Sequence, residues 1–430
     1  MPYVTLVTLG CPKNQVDSEH LLRALKREGI DNTDSVQDAG IILVNTCGFI
    51  NDAKEESINE VINLARYKGA NKKLVVFGCL SQRYKDELIT ELPEIDAIWG
   101  VGKENEIVQY CKDTLDPGNV VNVSDSPVQV AVDGATPMYA YIKIAEGCNR
   151  PCGYCVIPSI RGGFRSFPAE AVMAEAEACV KAGKKELILI AQDLTSYGKD
   201  IGYDLPRIIK DIASISGDFW IRLLYLYPTA LSDALLEVVS GQDKVCKYLD
   251  IPLQHSEDKV LRAMGRGGSR KYYAELARRL RRDIPDVTLR TTFIVGYPGE
   301  THVEFSSLKA FVAEVGFDCL GVFAYSDEEG TTAYNLVGKV SERVKKKRLQ
   351  ELMSIQEQIS YERNTRYVGR RFRAIIDDTS EDLTIARLYC HAPEIDGSVV
   401  IRGQSVLKRD DFVDVEITAA LQYDLVGCLA

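Results

Sequence analysis

Residues 139–158, YAYIKIAEGCNRPCGYCVIP, decide how this chain is read. The first seven form an apolar run rich in aromatic and β-branched side chains, the composition of a strand. Directly after it come Cys148, Cys152 and Cys155 in the spacing C-x3-C-x2-C, with Tyr154 just before the last cysteine. A tetrahedral zinc site or a fully ligated iron–sulfur cluster takes four protein ligands. Three thiols in one short loop, with no fourth cysteine or histidine nearby, point to a [4Fe–4S] cluster with one iron left open. An open iron can bind and reduce a substrate, which an electron carrier does not need.

Downstream of the loop the strand signal repeats. ELILIAQ, WIRLLYL, KYLDIPL, TLRTTFIVG and CLGVFAY follow, separated by helical stretches, up to about residue 345. Six βα units in a row predict an open, partial version of the (β/α) barrel, whose active site is built by the loops after the strands. The cysteine loop follows the first of these strands, where chemistry is expected.

Upstream, residues 1–125 alternate strands (YVTLVTL, IILVN, KLVVFG) with helices (SEHLLRALKREG, AKEESINEVINLARYKG, QRYKDELITELP), a doubly wound α/β pattern. One cysteine follows each strand: Cys11, Cys47 and Cys79, beside Gly10, Gly48 and Gly78. The carboxyl ends of neighbouring parallel strands share one edge, where ligands bind. Three cysteines on three such ends can converge, implying a second three-cysteine cluster, again with one iron free. Three unrelated core cysteines are the alternative. The other six cysteines fall singly in apolar contexts and read as small buried hydrophobes.

The stretch DPGNVVNVSDSPVQVAVDGATP reads as a linker. SERVKKKRLQELMSIQEQISYERNTR reads as a helix leading out, its KKKR run a solvated face. RFRAIID, LTIARLY, SVVIRG and FVDVEITAAL suggest a small antiparallel barrel. The expected organisation is therefore α/β multidomain: an N-terminal doubly wound domain over 1–125, a partial six-unit (β/α) barrel over 137–363, and a C-terminal β-barrel over 366–430.

Of the 430 residues, 46% are hydrophobic and 27% charged, and the net charge is −10, so the surface as a whole does not attract nucleic acid or anionic membrane. No apolar run is long enough to span a bilayer, and the N-terminus lacks a signal-peptide pattern. A cytoplasmic location is expected, and twelve cysteines in a reducing compartment point to metal or redox chemistry.

CNRPCGYC resembles the signature of radical S-adenosylmethionine (SAM) enzymes. With the front cysteines and the tail barrel, the chain resembles the methylthiotransferase family, over nearly its whole length. LGCPKNQVDSE, CVIPSIRG, AQDLTSYG, LYLYP, IPLQH, TFIVGYPGET and APEIDG, in that order, match the branch of the family that acts on a ribosomal protein. The resemblance implies an N-terminal methylthiotransferase domain, a radical-SAM domain and a TRAM domain, with two [4Fe–4S] clusters and SAM as cofactors. It implies that SAM, chelated at the open iron held by Cys148, Cys152 and Cys155, is cleaved to a radical. That radical removes hydrogen from an unactivated carbon, the β-carbon of an aspartate in small-subunit ribosomal protein twelve. The cluster held by Cys11, Cys47 and Cys79 would hold the sulfur, and a second SAM would give the methyl group. Flavodoxin or ferredoxin is the expected electron donor, given the low potentials such clusters reach.

Further residues follow from the same resemblance. Tyr154 is expected against the adenine or simply in the core. Gln192 and Asp193 follow the second barrel strand, where the family binds SAM; Asp193 also reads as a helix N-cap. Arg222 is expected at the SAM carboxylate or in an outward salt bridge. Gly296 and Gly299 permit close approach of a ligand or a tight turn. His255 reads first as structural. From Arg366 to Ala430 there are eight Lys/Arg against eleven Asp/Glu. This balance makes direct RNA binding unexpected and suits a basic protein partner, with Asp377, Asp378, Glu381, Asp382, Glu394 and Asp396 as complementary acids. The competing readings are methylthiotransfer to a tRNA adenosine and a non-catalytic iron–sulfur or zinc protein.

Overall fold

The computed structural model describes residues 3–69, 72–115, 138–402, 409 and 411–430. The linker read over residues 116–137 lies outside them.

The N-terminal part is a parallel sheet of β1 (Tyr3–Thr8), β2 (Asp31–Asn32), β3 (Ile41–Thr46), β4 (Lys73–Gly78) and β5 (Ala97–Ile98), in the order β2-β1-β3-β4-β5. Leu43 and Val75 pack on one side with Leu21, Leu25 and Ile107, while Ile42, Val44, Leu74 and Val76 pack on the other with Val61 and Leu64. Burial on both faces makes β3 and β4 continuous apolar runs. The two-residue edge strands β2 and β5 carry no such run. The strand order reverses between β1 and β3, and crevices for ligands open at such switch points.

The middle part continues with β6 (Tyr139–Lys143), the short antiparallel pair β7 (Ala145–Glu146) and β8 (Arg165–Ser166), then β9 (Glu186–Ile190), β10 (Trp220–Leu223), β11 (Val245–Asp250), β12 (Thr288–Val295) and β13 (Cys319–Ala324). Six of these form one open parallel sheet, β13-β12-β11-β10-β9-β6, the expected partial barrel. Ile142, Leu187, Leu189, Ile221 and Leu223 face the helices and form the largest core. Tyr141, Ile188, Trp220 and Tyr248 face the opposite way and meet Val16 of the helix Pro12–Arg27 together with Ile375 and Ala392 of the tail.

The tail closes into a barrel of β14 (Arg371–Thr379), β15 (Leu383–Leu388), β16 (Val399–Arg402), β17 (Phe412–Ala420) and β18 (Leu425–Leu429). The expected barrel was wholly antiparallel with four strands. The fifth strand, LVGCL, pairs parallel with β16 and closes the ring. Gly427 interrupts its apolar pattern, which hides it from a periodicity reading. No helix among the described residues is long and apolar enough to cross a membrane.

Three expectations are corrected here. Arg222, expected at a ligand carboxylate or in an outward salt bridge, points into the junction with the tail. Its Nε donates to Glu186 Oε1 (2.5 Å) and its Nη1 to the Tyr389 carbonyl (2.7 Å), with the side chain fully buried. Arg387 of β15 closes the group, donating to Glu186 Oε2 (2.6 Å) and Asp377 (2.6 Å). Burial pushes the Glu186 carboxyl up, but Arg222 and Arg387 outweigh it and hold it below its ordinary value. Secondly, the KKKR run is only half solvated. The helix Glu342–Asn364 turns Lys345 and Arg348, three residues apart, inward to the Tyr325 carbonyl (2.7 Å) and Glu300 Oε1 (2.9 Å). Thirdly, of the six tail acids, Asp377 pairs with Arg387, Glu394 accepts from the Tyr139 hydroxyl (2.5 Å) and Asp396 accepts from the Tyr248 hydroxyl (2.6 Å). Asp378, Glu381 and Asp382 remain exposed, and so does Glu394 despite its bond to Tyr139.

Glu186 is thus the anion on which tail docking rests. Glu186→Leu leaves Arg222 buried without a carboxylate and is expected to destabilise the protein by about 3–5 kcal/mol in chemical denaturation. The double variant Glu186→Leu/Arg222→Met should recover most of that loss. A single-variant change under about 1 kcal/mol would show that the junction does not depend on this pair.

Candidate active site

The front cysteines are placed by how the sheet ends. Cys11 is the N-cap of the helix Pro12–Arg27, whose first position is proline, which suits that place because the missing N–H has no intrahelical partner there. The helix therefore starts six residues before the apolar pattern that announces it. Cys47 follows β3, and Cys79 opens the helix Cys79–Arg83 directly after β4. Cys11 and Cys47 thus flank the switch-point crevice. Gly10 has φ +94°, and a Cβ there would lie 2.9 Å from Cys47 Sγ, so only glycine lets the loop after β1 pass this close to the thiol. Asn14, fully buried, holds the other two thiols: its Oδ1 lies 3.9 Å from Cys11 Sγ and 3.6 Å from Cys79 Sγ. Its Nδ2 donates to the Leu9 (2.9 Å) and Thr46 (3.2 Å) carbonyls and fixes the side chain between β1 and β3.

The second trio lies in the loop after β6 and β7. The Cys148 N–H donates to the Gly162 carbonyl (3.1 Å) and the Cys155 N–H to the Cys152 carbonyl (3.1 Å). The Arg150 N–H donates to Cys148 Sγ (3.4 Å), and Arg266 Nη1 donates to Cys152 Sγ (3.7 Å).

A buried ionic cluster joins the two trios. Asp17, one turn along from Asn14, accepts from Lys143 Nζ and from Arg161 Nη2 (3.0 Å). Glu146 accepts from Lys143 (2.6 Å), from Arg161 Nη1 (3.1 Å) and from Gln192 Nε2 (2.7 Å). Arg161 Nη2 also reaches Asn14 Oδ1 (2.7 Å) and Cys79 Sγ (3.4 Å). Arg161 ends the short helix Ile157–Arg161 that begins two residues after Cys155, so one guanidinium links both cysteine sites. Burial works against the charge on Glu146, yet Lys143 and Arg161 bring its carboxyl down to about 2.

The expected site residues fall into distinct places. Gln192 donates to Glu146 and leaves its buried Oε1 without a partner, an acceptor free for a ligand. Asp193 precedes the turn Leu194–Ser196 without capping its backbone; it accepts from Arg150 Nε (2.7 Å) and Ser196 Oγ (2.7 Å), steadying the cysteine loop. The Tyr154 ring packs with Val260, Met264 and Tyr297, the core alternative. Gly296, φ +77°, donates its N–H to Glu300 Oε2 (2.6 Å), and a Cβ there would lie 2.4 Å from Lys345 Cγ, so the turn and the helix behind it require glycine. Gly299 donates to the Gly338 carbonyl (3.0 Å), a turn contact. His255 is buried, with Nδ1 accepting from the Glu257 N–H (3.0 Å), and burial brings it down to about 3. Sequence reasoning missed Asn14, Asp17, Glu146, Arg150, Arg161 and Arg266. The i, i+3, i+4 spacing of Asn14, Asp17 and Ser18, all buried on one helix side, was the available signal for the first two.

The donor set fits iron–sulfur clusters. Burial pushes the Cys79 and Cys155 thiols up to about 12, so proton loss on metal binding would have to be driven by the metal. Arg161 and Arg266 stand against the sulfurs to offset the thiolate charge. Among the described residues no three His, Cys, Asp or Glu side chains converge closely enough for a single metal ion.

An open parallel half-barrel with this cysteine loop after its first strand defines a radical-SAM enzyme, a class that uses a [4Fe–4S] cluster and SAM. Family models agree: residues 3–100 match the uncharacterized protein family UPF0004, residues 142–312 the Radical SAM superfamily and residues 368–429 the TRAM domain. A protein of Thermodesulfovibrio yellowstonii named ribosomal protein uS12 methylthiotransferase RimO is 50% identical over 430 residues, covering 100% of both chains. One of the same name from Natranaerobius thermophilus is 46% identical, covering 99% of this chain and 98% of its own. The chain belongs to the RimO-type methylthiotransferases. Among solved structures, the radical SAM methyltransferase TsrM from Kitasatospora setae shares the fold, with a TM-score of 0.56 at 13% identity over 77% of each chain. The cobalamin-dependent enzyme OxsB does so with a TM-score of 0.52 at 12% identity, covering 83% of this chain and 56% of its own.

Arg161→Met should cost roughly 3–5 kcal/mol in chemical denaturation, because Asp17 and Glu146 then share Lys143 alone. Asp17→Asn in that background should recover part of the loss, and the two effects should couple rather than add. Additive behaviour would show that the four side chains do not act as one unit.

Proposed function

We propose that the chain methylthiolates the β-carbon of an aspartate in ribosomal protein uS12, with SAM and two [4Fe–4S] clusters, one on each cysteine trio. The observation that carries this reading is the convergence of Cys11, Cys47 and Cys79 at one sheet edge, tied through Arg161 to the loop of Cys148, Cys152 and Cys155. Two thiol trios in register suit a reaction that must both break a C–H bond and form a C–S bond at one carbon.

The clusters and SAM, when bound, would supply the reducing electron, the hydrogen-abstracting radical, the sulfur and the methyl group. The protein's part is placement. Cys148, Cys152 and Cys155 would hold one cluster, with the Arg150 N–H donating to Cys148 Sγ and Arg266 to Cys152 Sγ. The unpaired Gln192 Oε1 offers an acceptor beside that loop for a donor on SAM. Arg150, stacked 3.8 Å from the Tyr227 ring centroid and paired with Asp193, stiffens the loop wall. Arg161, which donates to Cys79 Sγ and to Asn14 Oδ1, ties Cys79 to the helix that follows the other trio. The exposed acids Asp378, Glu381 and Asp382 suit a basic ribosomal protein. Flavodoxin or ferredoxin is the proposed electron donor.

Mass spectrometry of ribosomal proteins from cells with and without the gene tests the reaction. uS12 should carry the mass of one methylthio group only when the gene is present, and an unchanged uS12 mass would overturn the reading. The division between trios has its own test. Cys152→Ala should abolish SAM cleavage and keep about half the iron. Cys47→Ala should still cleave SAM and transfer no sulfur. Full methylthiolation by both variants would defeat the assignment.

A further inference from the structure

Lys13 is the second residue of the helix Pro12–Arg27 and stands two positions after Cys11. The residue is only 7% exposed, and its Nζ lies 2.9 Å from the centroid of the Tyr225 ring. Among the described residues Lys13 forms no hydrogen bond and no ion pair, and its ammonium rests on the aromatic face of Tyr225. The neighbouring cations are differently placed: Lys143 has Asp17 and Glu146, Arg161 has the same two carboxylates, and Arg150 has Asp193. Burial disfavours the charge on Lys13, while Cys11, Asp250 and Glu146 act on it as negative neighbours without forming an ion pair.

The fold nevertheless holds the arrangement in place. Tyr225 has φ +64°, a left-handed conformation that an aromatic residue rarely adopts. Its N–H donates to Asp250 Oδ2 (2.9 Å), and its carbonyl accepts from the Leu194 N–H (3.1 Å). Lysine and ring come from different domains: Lys13 from the helix capped by Cys11, Tyr225 from the loop just after β10. The ammonium therefore sits where the front sheet edge meets the strand ends of the half-barrel. The unpaired Gln192 Oε1 belongs to the same layer of loops, after the adjacent strand β9.

We propose that Lys13 receives the side-chain carboxylate of the substrate aspartate and so places the neighbouring β-carbon between the two cysteine trios. This rests on the uS12 reading above. The carboxylate would give Lys13 the direct ion pair that it does not form with Asp250 or Glu146. It is bonded directly to the carbon to be modified, so a contact beside Cys11 fixes that carbon on the side of the front trio. Lys13 is a positioning and specificity residue, and the reaction needs no proton from it. SAM also carries a carboxylate, so the test separates the two sources.

Wild-type, Lys13→Gln and Lys13→Met holoenzymes are compared for binding of uS12 and of uS12 with its modified aspartate changed to asparagine. Iron content and SAM affinity are measured in parallel. The wild-type enzyme should prefer aspartate by roughly 10- to 100-fold, the scale of a charge-assisted contact in a desolvated site. Both variants should lose most of that preference while SAM affinity stays within about twofold. Lys13→Arg, which keeps the charge, should retain part of the preference and serves if the neutral variants lose iron. An undiminished preference for aspartate in the variants overturns the proposal. Weakened SAM affinity with an intact preference overturns it too, assigning Lys13 to SAM. Wild-type enzyme that leaves uS12 unmodified would instead defeat the underlying reading.

Discussion

Asp17, Lys143, Glu146 and Arg161 form the one interaction on which the working arrangement depends. Two carboxylates and two cations, three of them buried and Glu146 half-buried, meet between the front domain and the half-barrel. Buried charges must be paired, and a buried pair has few geometries that satisfy all of its lone pairs and protons. The cluster is therefore less a source of stability than a device for fixing position. Arg161 alone contacts Asp17, Glu146, Asn14 and Cys79, and its helix begins two residues from Cys155. A shift of one domain against the other would leave several charges unpaired at once. Chemistry that needs two cofactor sites at one carbon gains from that rigidity.

The tail is attached by the same means at the other end of the half-barrel. Glu186, Arg222, Arg387 and Asp377 form a second buried group, surrounded by aromatic and aliphatic contacts such as Trp220 with Phe412, 5.1 Å between ring centroids. The sheet that faces helices on one side thus faces the tail barrel and the helix Pro12–Arg27 on the other. An open half-barrel leaves an apolar inner face, and these two elements cover part of it. Asp377, Glu394 and Asp396 are bonded at this junction, though Glu394 stays exposed alongside Asp378, Glu381 and Asp382.

The three-part architecture was readable because most of its parallel strands are buried on both faces and appear as apolar runs, such as β9 and β10, while β12 and β13 were readable from their β-branched and aromatic content. The cysteines were readable from spacing in one trio and from topological position in the other. Elements escaped where local pattern and tertiary use disagree. Residues 13–18 look like a loop because they are polar, yet they are helical and several are buried because they face the site. LVGCL is short and interrupted by Gly427, so it was not among the expected tail strands, yet it closes the barrel. The KKKR run looked solvated, but helical geometry sends its first and last members inward.

Apolar periodicity and cysteine spacing are local properties, so the chain alone established the α/β half-barrel, the front sheet and the two thiol trios. The partners of Arg222 and Arg161, and the bare ammonium of Lys13 over Tyr225, were settled only by folding. Asp17 and Arg161 lie 144 positions apart, and Arg387 and Glu186 lie 201 apart. A charged residue carries no mark in the sequence of which distant charge it will meet. Coulombic pairing depends on distance through space, and the packing of one domain on another sets that distance.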